Sequence, residues 1–420
     1  MRGSPSRAAP PSRFLVGLAF LLVLPGCVVR PAVTQPASVR PFVLTFWCAP
    51  PLGVLDDARM AEIANAGFTT VGAPCEGGID EASNRQILAL AEQHGLRVWV
   101  ADHRLYAAAA GAPDAAALAA AVVASYRDAP ALDGYVVADE PTTEAFATLA
   151  PVVAALQASD PGRLPYINLL PDYVPPKLLG AESYDDYLER FVDVVHPRVL
   201  SVDYYPFGKH RDRSTFFANL AAVRATALRH DLPFVWIILA MPHGPYRDPT
   251  ESELAWQAFH ALAFGARGVS YFTYWTPTSG GEWNHHKGLL DDGQPTAHYF
   301  AAQRLNDRLR AFGDALSGWY SLAIADSRGT VAAPLPIGPL AAVDGGDITI
   351  GLFGDGSGAL TALLVNRDYR APATATLRLR AGSGPPLELA LDTRRWQPAP
   401  AGLAWEIEPG GARLLRWPAA

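Results

Sequence analysis

The sequence predicts an α/β fold, a (β/α)8 TIM barrel followed by a C-terminal all-β sandwich. Three observations carry this. Between residues 41 and 316, eight apolar runs of strand length alternate with stretches of helical periodicity. The runs are almost continuously hydrophobic, as in parallel strands covered on both faces. After about residue 316 the pattern changes to short alternating strands separated by Gly, Asp and Pro. Eight strands without a Gly-rich first turn argue against an open doubly wound sheet.

The N-terminus comes first. Arg2, Arg7 and Arg13 precede an apolar run, Phe14 to Leu24, that is short for a membrane span and has the shape of an export signal. It ends Leu24-Pro25-Gly26-Cys27, which resembles the bacterial lipobox. That resemblance implies a signal peptide over residues 1–26 and a lipid anchor on Cys27. The protein would cross the inner membrane and stay lipid-anchored, in the periplasm or at the outer membrane or cell surface. An ordinary signal peptide with an incidental Cys is the alternative. Residues 27–40 are Pro-rich and patternless and read as a tether.

The barrel is expected over 41–316. Its strands are Phe42–Phe46, Thr69–Gly72, Arg97–Ala101, Gly134–Ala138, Pro165–Leu169, Val199–Asp203, Phe234–Leu239 and Gly268–Tyr274. Helices are expected near 57–66, 81–94, 114–128, 143–159, 183–195, 214–230, 250–266 and 297–313, with Asp56, Asp80, Thr142 and Thr250 at N-cap positions. The sandwich is expected over 317–420, with residues 327–342 running over the surface as a Pro- and Gly-rich connection.

Composition excludes several classes. The chain has 420 residues, 50% hydrophobic and 18% charged, so it is neither disordered nor fibrous. A net charge of -7 without a basic run argues against nucleic acid as a partner. Three Cys cannot build a disulfide scaffold or a multi-Cys zinc module. Cys48 and Cys75 read equally as a disulfide or as two buried thiols. No P-loop, GxSxG elbow or dinucleotide-binding loop occurs, so no cofactor is expected. His285-His286 with Asp291 and Asp292 lacks metal-ligand spacing and reads as a polar loop, so no metal is expected.

A barrel of this kind carries its site at the C-terminal strand ends. Those ends supply Trp47, Asp102-His103-Arg104, Asp139-Glu140, Asp203-Tyr204-Tyr205, His243 and Tyr274-Trp275. Strand 6 alternates Leu200 and Val202 with Ser201 and Asp203, which turns Asp203 toward the barrel axis. Carboxylates from different strands, ringed by Trp and Tyr, suit glycoside hydrolysis. One protonated acid donates to the leaving oxygen, one anion attacks or activates water, and aromatic faces stack on sugar rings. A carbohydrate substrate follows; the oligomeric state does not.

Gly134-Tyr135-Val136-Val137-Ala138-Asp139-Glu140-Pro141 resembles the strand-4 motif of clan A glycoside hydrolases, similar to the family 42 β-galactosidases. There the usual form is Asn-Glu-Pro and the Glu is the acid/base, a role the resemblance carries to Glu140. Tyr274-Trp275, the passage from Gly288 to Thr296, Val365-Asn366-Arg367-Asp368 and Pro409-Gly410-Gly411 are similar to other parts of such enzymes. Two departures stand out. The Asn is Asp139, and strand 7 ends Met241-Pro242-His243-Gly244, where the clan places its nucleophile Glu.

Three readings accommodate the departures. In the first, Glu140 is the general acid, Asp203 the partner carboxylate and Asp139 an orienting or pKa-tuning acid. Trp47, Asp102, Arg104, Tyr205, His243, Tyr274 and Trp275 then shape the sugar site. In the second, Asp139-Glu140 resembles the pair of substrate-assisted N-acetylhexosaminidases, where the sugar's own acetamido group attacks. In the third, the chain is a glycan-binding lipoprotein without turnover. Asp139-Glu140 as a plain helix start and Asp102-Arg104 as a local ion pair are the structural alternatives.

Overall fold

The computed structural model describes residues 41–279, 281–330 and 334–419. The expected export signal, the expected lipid-anchor Cys27 and the expected tether lie outside these residues. Eight parallel strands form the barrel: β1 (Val43–Phe46), β2 (Thr70–Val71), β3 (Arg97–Ala101), β4 (Leu132–Asp139), β5 (Leu164–Asn168), β6 (Leu200–Asp203), β7 (Phe234–Leu239) and β8 (Gly268–Phe272). They pair as two four-stranded arcs, β1-β8-β7-β6 and β2-β3-β4-β5. Bridges Ala49↔Pro74 and Leu169↔Val202 join the arcs at both seams. The first seam is tight: a Cβ on Gly72 would lie 1.7 Å from the Phe46 carbonyl oxygen. Only glycine fits there.

The helices are α1 (Asp57–Asn65), α2 (Glu81–Gln93), α3 (His103–Ala109), α4 (Ala115–Tyr126), α5 (Thr143–Ser159), α6 (Pro176–Leu179), α7 (Tyr184–Val195), α8 (Phe216–Arg229), α9 (Glu251–Ala263) and α10 (Ala297–Ala315). Asp56 and Asp80 cap α1 and α2 by accepting from Arg59 N and Ser83 N. Thr250 and Glu253 close a capping box on α9. Thr142 occupies the N-cap of α5 without a side-chain bond. Asp139 and Glu140 therefore lie ahead of the helix start. Where one helix was expected between β3 and β4, there are two, because Asp102 caps Arg104 N and starts α3 directly after the strand.

The inner layer of the barrel is Ala73, Trp99, Ala101, Val136, Leu164, Tyr166, Val199 and Val235. Trp99 and Tyr166 pack with ring centroids 4.3 Å apart. A small cavity of about 10 Å³ lies among Trp47, Trp99, Val136 and Tyr166, within this side-chain layer.

After the β9–β10 hairpin (Leu290–Asp291, Gln294–Pro295) and α10 come nine antiparallel strands among the described residues. They are β11 (Tyr320–Asp326), β12 (Leu340–Gly345), β13 (Ile348–Gly354), β14 (Leu360–Asn366), β15 (Ala373–Leu379), β16 (Leu387–Ala390), β17 (Arg395–Pro398), β18 (Ala404–Ile407) and β19 (Ala412–Trp417). They form a six-stranded and a three-stranded sheet. The connection expected over 327–342 is shorter, since β12 begins at Leu340. The larger sheet lies on α9: a Cβ on Gly351 would meet Ala263 backbone at 2.2 Å, and Trp256 Nε1 donates to the Arg367 carbonyl at 2.9 Å. With barrel strands on one side and a sheet on the other, almost every residue of α9 is buried.

Candidate active site

Strands β4, β5 and β6 build the centre of the mouth. On β6, Leu200 and Val202 join the outer core while Ser201 and Asp203 face inward. On β5, Tyr166 and Asn168 share that inward face. Strict alternation on β4 would turn Asp139 outward, because Val136 faces in. A bulge between Val136 and Ala138 inserts one residue and sets Asp139 opposite Asn168. Glu140 then adopts φ 48°, a left-handed backbone that costs a non-glycine residue free energy. Its N–H is held by the Asn168 carbonyl at 2.8 Å. Bulge and left-handed turn together bring two consecutive acids to the same side.

Asn168 is the hub. Its amide nitrogen donates to Asp139 Oδ1 at 3.1 Å and to Asp203 Oδ1 at 3.0 Å. Its carbonyl oxygen accepts from Ser201 Oγ at 3.2 Å, and that hydroxyl pairs with Tyr166 OH at 2.8 Å. The Trp47 ring lies 6.5 Å from the Tyr166 ring. The Glu140 and Asp203 carboxyls are near enough to act on one another's titration. None of the three acids has an ion-pair partner within 4.0 Å among the described residues.

Their protonation follows. Burial, with the Glu140 charge second, holds Asp203 well above the usual carboxylate range, against the Asn168 bond. Burial likewise raises Glu140. Burial and the adjacent Glu140 push Asp139 up to about 7. Asp139 and Glu140 are exposed at the mouth, while Asp203 beneath them is buried, so the outer two acids are accessible to a ligand.

An aromatic wall from the loops after β6, β7 and β8 faces these acids. Tyr205 packs on His243, Tyr246 and Phe272 at 5.4, 5.2 and 5.6 Å. The charges of Asp203, Glu140 and Asp139 all act on the Tyr205 hydroxyl. His243 Nδ1 lies 3.1 Å from the Met241 carbonyl, and burial lowers its pKa to about 4, so the ring is neutral at pH 7. Trp283 is 45% exposed and lies over Gly244, where any Cβ would meet its ring at 2.5 Å.

The structure brings together Trp47, Asp139, Glu140, Asp203, Tyr205 and His243. It does not bring Asp102, Arg104, Tyr274 or Trp275 to them. Trp99 and Ala101 face inward, so Asp102 faces the helices, where Arg104 Nε and Nη2 reach it at 2.9 and 2.8 Å and Tyr126 OH at 2.6 Å. β8 ends at Phe272, before Tyr274. Tyr274 stacks on Phe46 at 4.5 Å and donates to Glu62, outside the barrel wall. Trp275 lies beside Arg59 of α1.

Sequence reasoning passed over Asn168, Phe272, Tyr173 and Tyr246. Asn168 was readable, since it stands two residues after the inward Tyr166. His285 and His286 bond backbone carbonyls of Ser279 and Asn284, and no cluster of three or more potential metal ligands occurs among the described residues. Cys48 and Cys75 form a disulfide at the mouth, with Cα atoms 4.6 Å apart.

No protein-family model and no curated protein sequence matches the chain. Solved structures do. A catalytic mutant of Gan42B, a GH42 β-galactosidase from G. stearothermophilus, aligns at TM-score 0.62 and 9% identity, over 89% of this chain and 98% of that one. A glycoside hydrolase family 5 protein from Bacteroides vulgatus aligns at 0.54 and 11%, over 89% and 88%. The β-galactosidase of Marinomonas ef1 aligns at 0.50 and 12%, over 65% of this chain and 60% of that one. The chain thus has the fold of the clan A glycoside hydrolases, a (β/α)8 barrel with a C-terminal β-sandwich similar to that of the family 42 β-galactosidases.

Proposed function

We propose that the chain is a glycoside hydrolase in which Glu140 donates the proton to the leaving glycosidic oxygen. One observation carries this: three carboxyls without an ion-pair partner among the described residues, two of them joined through Asn168, at the solvent-reached mouth of a barrel with an aromatic wall. Burial raises both members of the Glu140–Asp203 pair and favours the protonated form, as a general acid requires. Asp203 is the inner member and serves as the proton-sharing partner. Asp139, with a pKa near the working range, is the acid left to act on the sugar itself.

The nearness of Glu140 and Asp203 bears on the stereochemistry. Carboxyls flanking a glycosidic bond stand roughly 5 Å apart in retaining enzymes and roughly 6.5–9.5 Å in inverting ones. Glu140 and Asp203 act on each other's titration as neighbours, which suits a proton-sharing pair better than two groups on opposite sides of an anomeric carbon. This favours a second form of the mechanism, in which Asp139 orients a 2-acetamido group and that group attacks. An activity panel of aryl glycosides separates the forms. Cleavage of N-acetylhexosaminides but not plain hexosides supports substrate assistance. Cleavage of both supports Asp139 or Asp203 as an enzymic base or nucleophile. Sugar binding without turnover of any member would leave the glycan-binding alternative.

We further propose export and lipid anchoring at Cys27. The Cys48–Cys75 bond supports an oxidising compartment. Labelling with radioactive palmitate tests it: incorporation should vanish in Cys27→Ala, and equal labelling of both proteins would remove the anchor.

A further inference from the structure

We infer that the mouth holds a subsite for an anionic group on the carbohydrate, a hexuronic-acid carboxylate or a sulfate ester, formed by Arg213 and Lys209. The inference rests on the glycosidase reading and adds the charge of its substrate. The net charge of the chain is -7, yet the loop after β6 reads Lys209-His210-Arg211-Asp212-Arg213. Its one acid is already engaged: Asp212 pairs with Arg247 at 3.1 Å and accepts from Tyr369. Neither Lys209, Arg211 nor Arg213 has an ion-pair partner within 4.0 Å among the described residues.

The loop is fixed against the aromatic wall. Lys209 N donates to the Pro245 carbonyl at 2.9 Å, and Arg247 N to the Phe207 carbonyl at 3.1 Å. The Arg213 guanidinium stacks 3.7 Å over the Tyr173 ring, and its Nη2 donates to Tyr246 OH at 3.3 Å. Tyr246 in turn packs on Tyr205 and His243, next to the acids. Tyr173 lies within the field of Asp203, and His243 within that of Lys209. Asp172 feels the charge of Arg213 but forms no ion pair with it.

A guanidinium offers five N–H donors in a planar fork that matches a carboxylate or sulfate face. Arg213 uses one of them on Tyr246. Stacking on Tyr173 fixes its plane, so little freedom is lost when an anion docks. The exposed Trp283 supplies a face for the sugar ring that carries the charge. An anionic sugar would supply the counter-charge that no residue within 4.0 Å gives Arg213 or Lys209 among the described residues.

The test uses the whole protein and three aryl glycosides of one sugar: the hexuronide, the 6-sulfated hexoside and the neutral parent. In parallel, calorimetry on the Glu140→Gln protein compares hexuronic-acid oligomers with their carboxyl-reduced counterparts. The anionic member is expected to exceed the neutral one in kcat/KM or affinity by about tenfold or more, as charged hydrogen bonds do. Whichever anionic arm responds identifies the group. Arg213→Gln and Lys209→Gln should each bring the ratio toward one, with thermal melting as the check on folding. Turnover or binding of neutral and anionic members alike overturns the subsite and leaves the glycosidase reading standing. Arg213-dependent binding of the anionic oligomer without turnover of any member supports the subsite and refutes the glycosidase reading. No binding and no turnover refutes both.

Discussion

Asp102 and Asp203 make an instructive pair. Both are acids at C-terminal ends of barrel strands, and both are almost wholly buried, at 0% and 2% exposure. Asp102 faces out, into a pocket that holds Arg104 and Tyr126. Burial alone would raise its pKa, but those bonds outweigh burial and hold it below the usual range. Asp203 faces in, beside Glu140 and Asn168, with no cation, and its pKa is pushed up. One acid is settled by its surroundings and one is not. Unsettled acids at a ligand-accessible mouth are where proton-transfer chemistry belongs.

Substitutions should separate the two acids' neighbourhoods. The largest effect is expected at Glu140. Glu140→Gln should lower turnover of alkyl or poorly activated aryl glycosides by about 10²–10⁴-fold, the usual worth of a general acid. Its melting temperature should stay level or rise, because a raised carboxyl is replaced by a neutral amide.

The reverse is expected at Asp102. Asp102→Ala strands Arg104 and should cost about 3 kcal/mol in denaturant unfolding. Turnover per folded molecule should be unchanged. A loss of turnover at constant stability would return Asp102 to the site.

The pH dependence of stability should differ in sign. Asp139 has a folded pKa of about 7 against an ordinary 3.8. The native state therefore holds an extra proton between about pH 4 and 7. Its contribution is full below pH 4 and is lost as pH rises through about 7. Asp102, depressed in the fold, contributes above its ordinary value of 3.8 and loses that contribution as pH falls further. Melting curves from pH 3 to 8 should show Asp139→Asn gaining on the parent protein as pH rises. A constant offset at every pH would contradict the assignment.

The smallest effect is expected at Asn168. Asn168→Ala removes two donors to the acids and should cost about tenfold in kcat, with the acid limb of the pH–rate profile moved upward. An unmoved limb would reduce Asn168 to a packing role.

Much of this was legible in the sequence. Strand periodicity predicts the barrel, and alternation along Leu200-Ser201-Val202-Asp203 predicts an inward Asp203. The same alternation through Trp99 and Ala101 turns Asp102 outward, so its exclusion was also readable. What could not be read is backbone geometry. A bulge at Val137 and a left-handed Glu140 depend on pairing with β5, and no local pattern encodes them. Without them, adjacent acids point apart. Tyr274 and Trp275 misled for a related reason: apolar character runs past Phe272, but the strand does not.

The cationic loop was similarly hidden. Lys209, Arg211 and Arg213 are too few to form a basic run, and Asp212 stands among them as if to balance the charge. Only folding shows that Asp212 is committed to Arg247 and Tyr369.

The central claim is that Glu140 delivers the proton. It is tested most directly by a series of aryl glycosides of graded leaving-group acidity, compared between the parent protein and Glu140→Gln. The account predicts a loss that grows as the leaving group becomes less acidic, because only poor leaving groups need the proton. A loss of equal size across the series, or no loss at all, would contradict it.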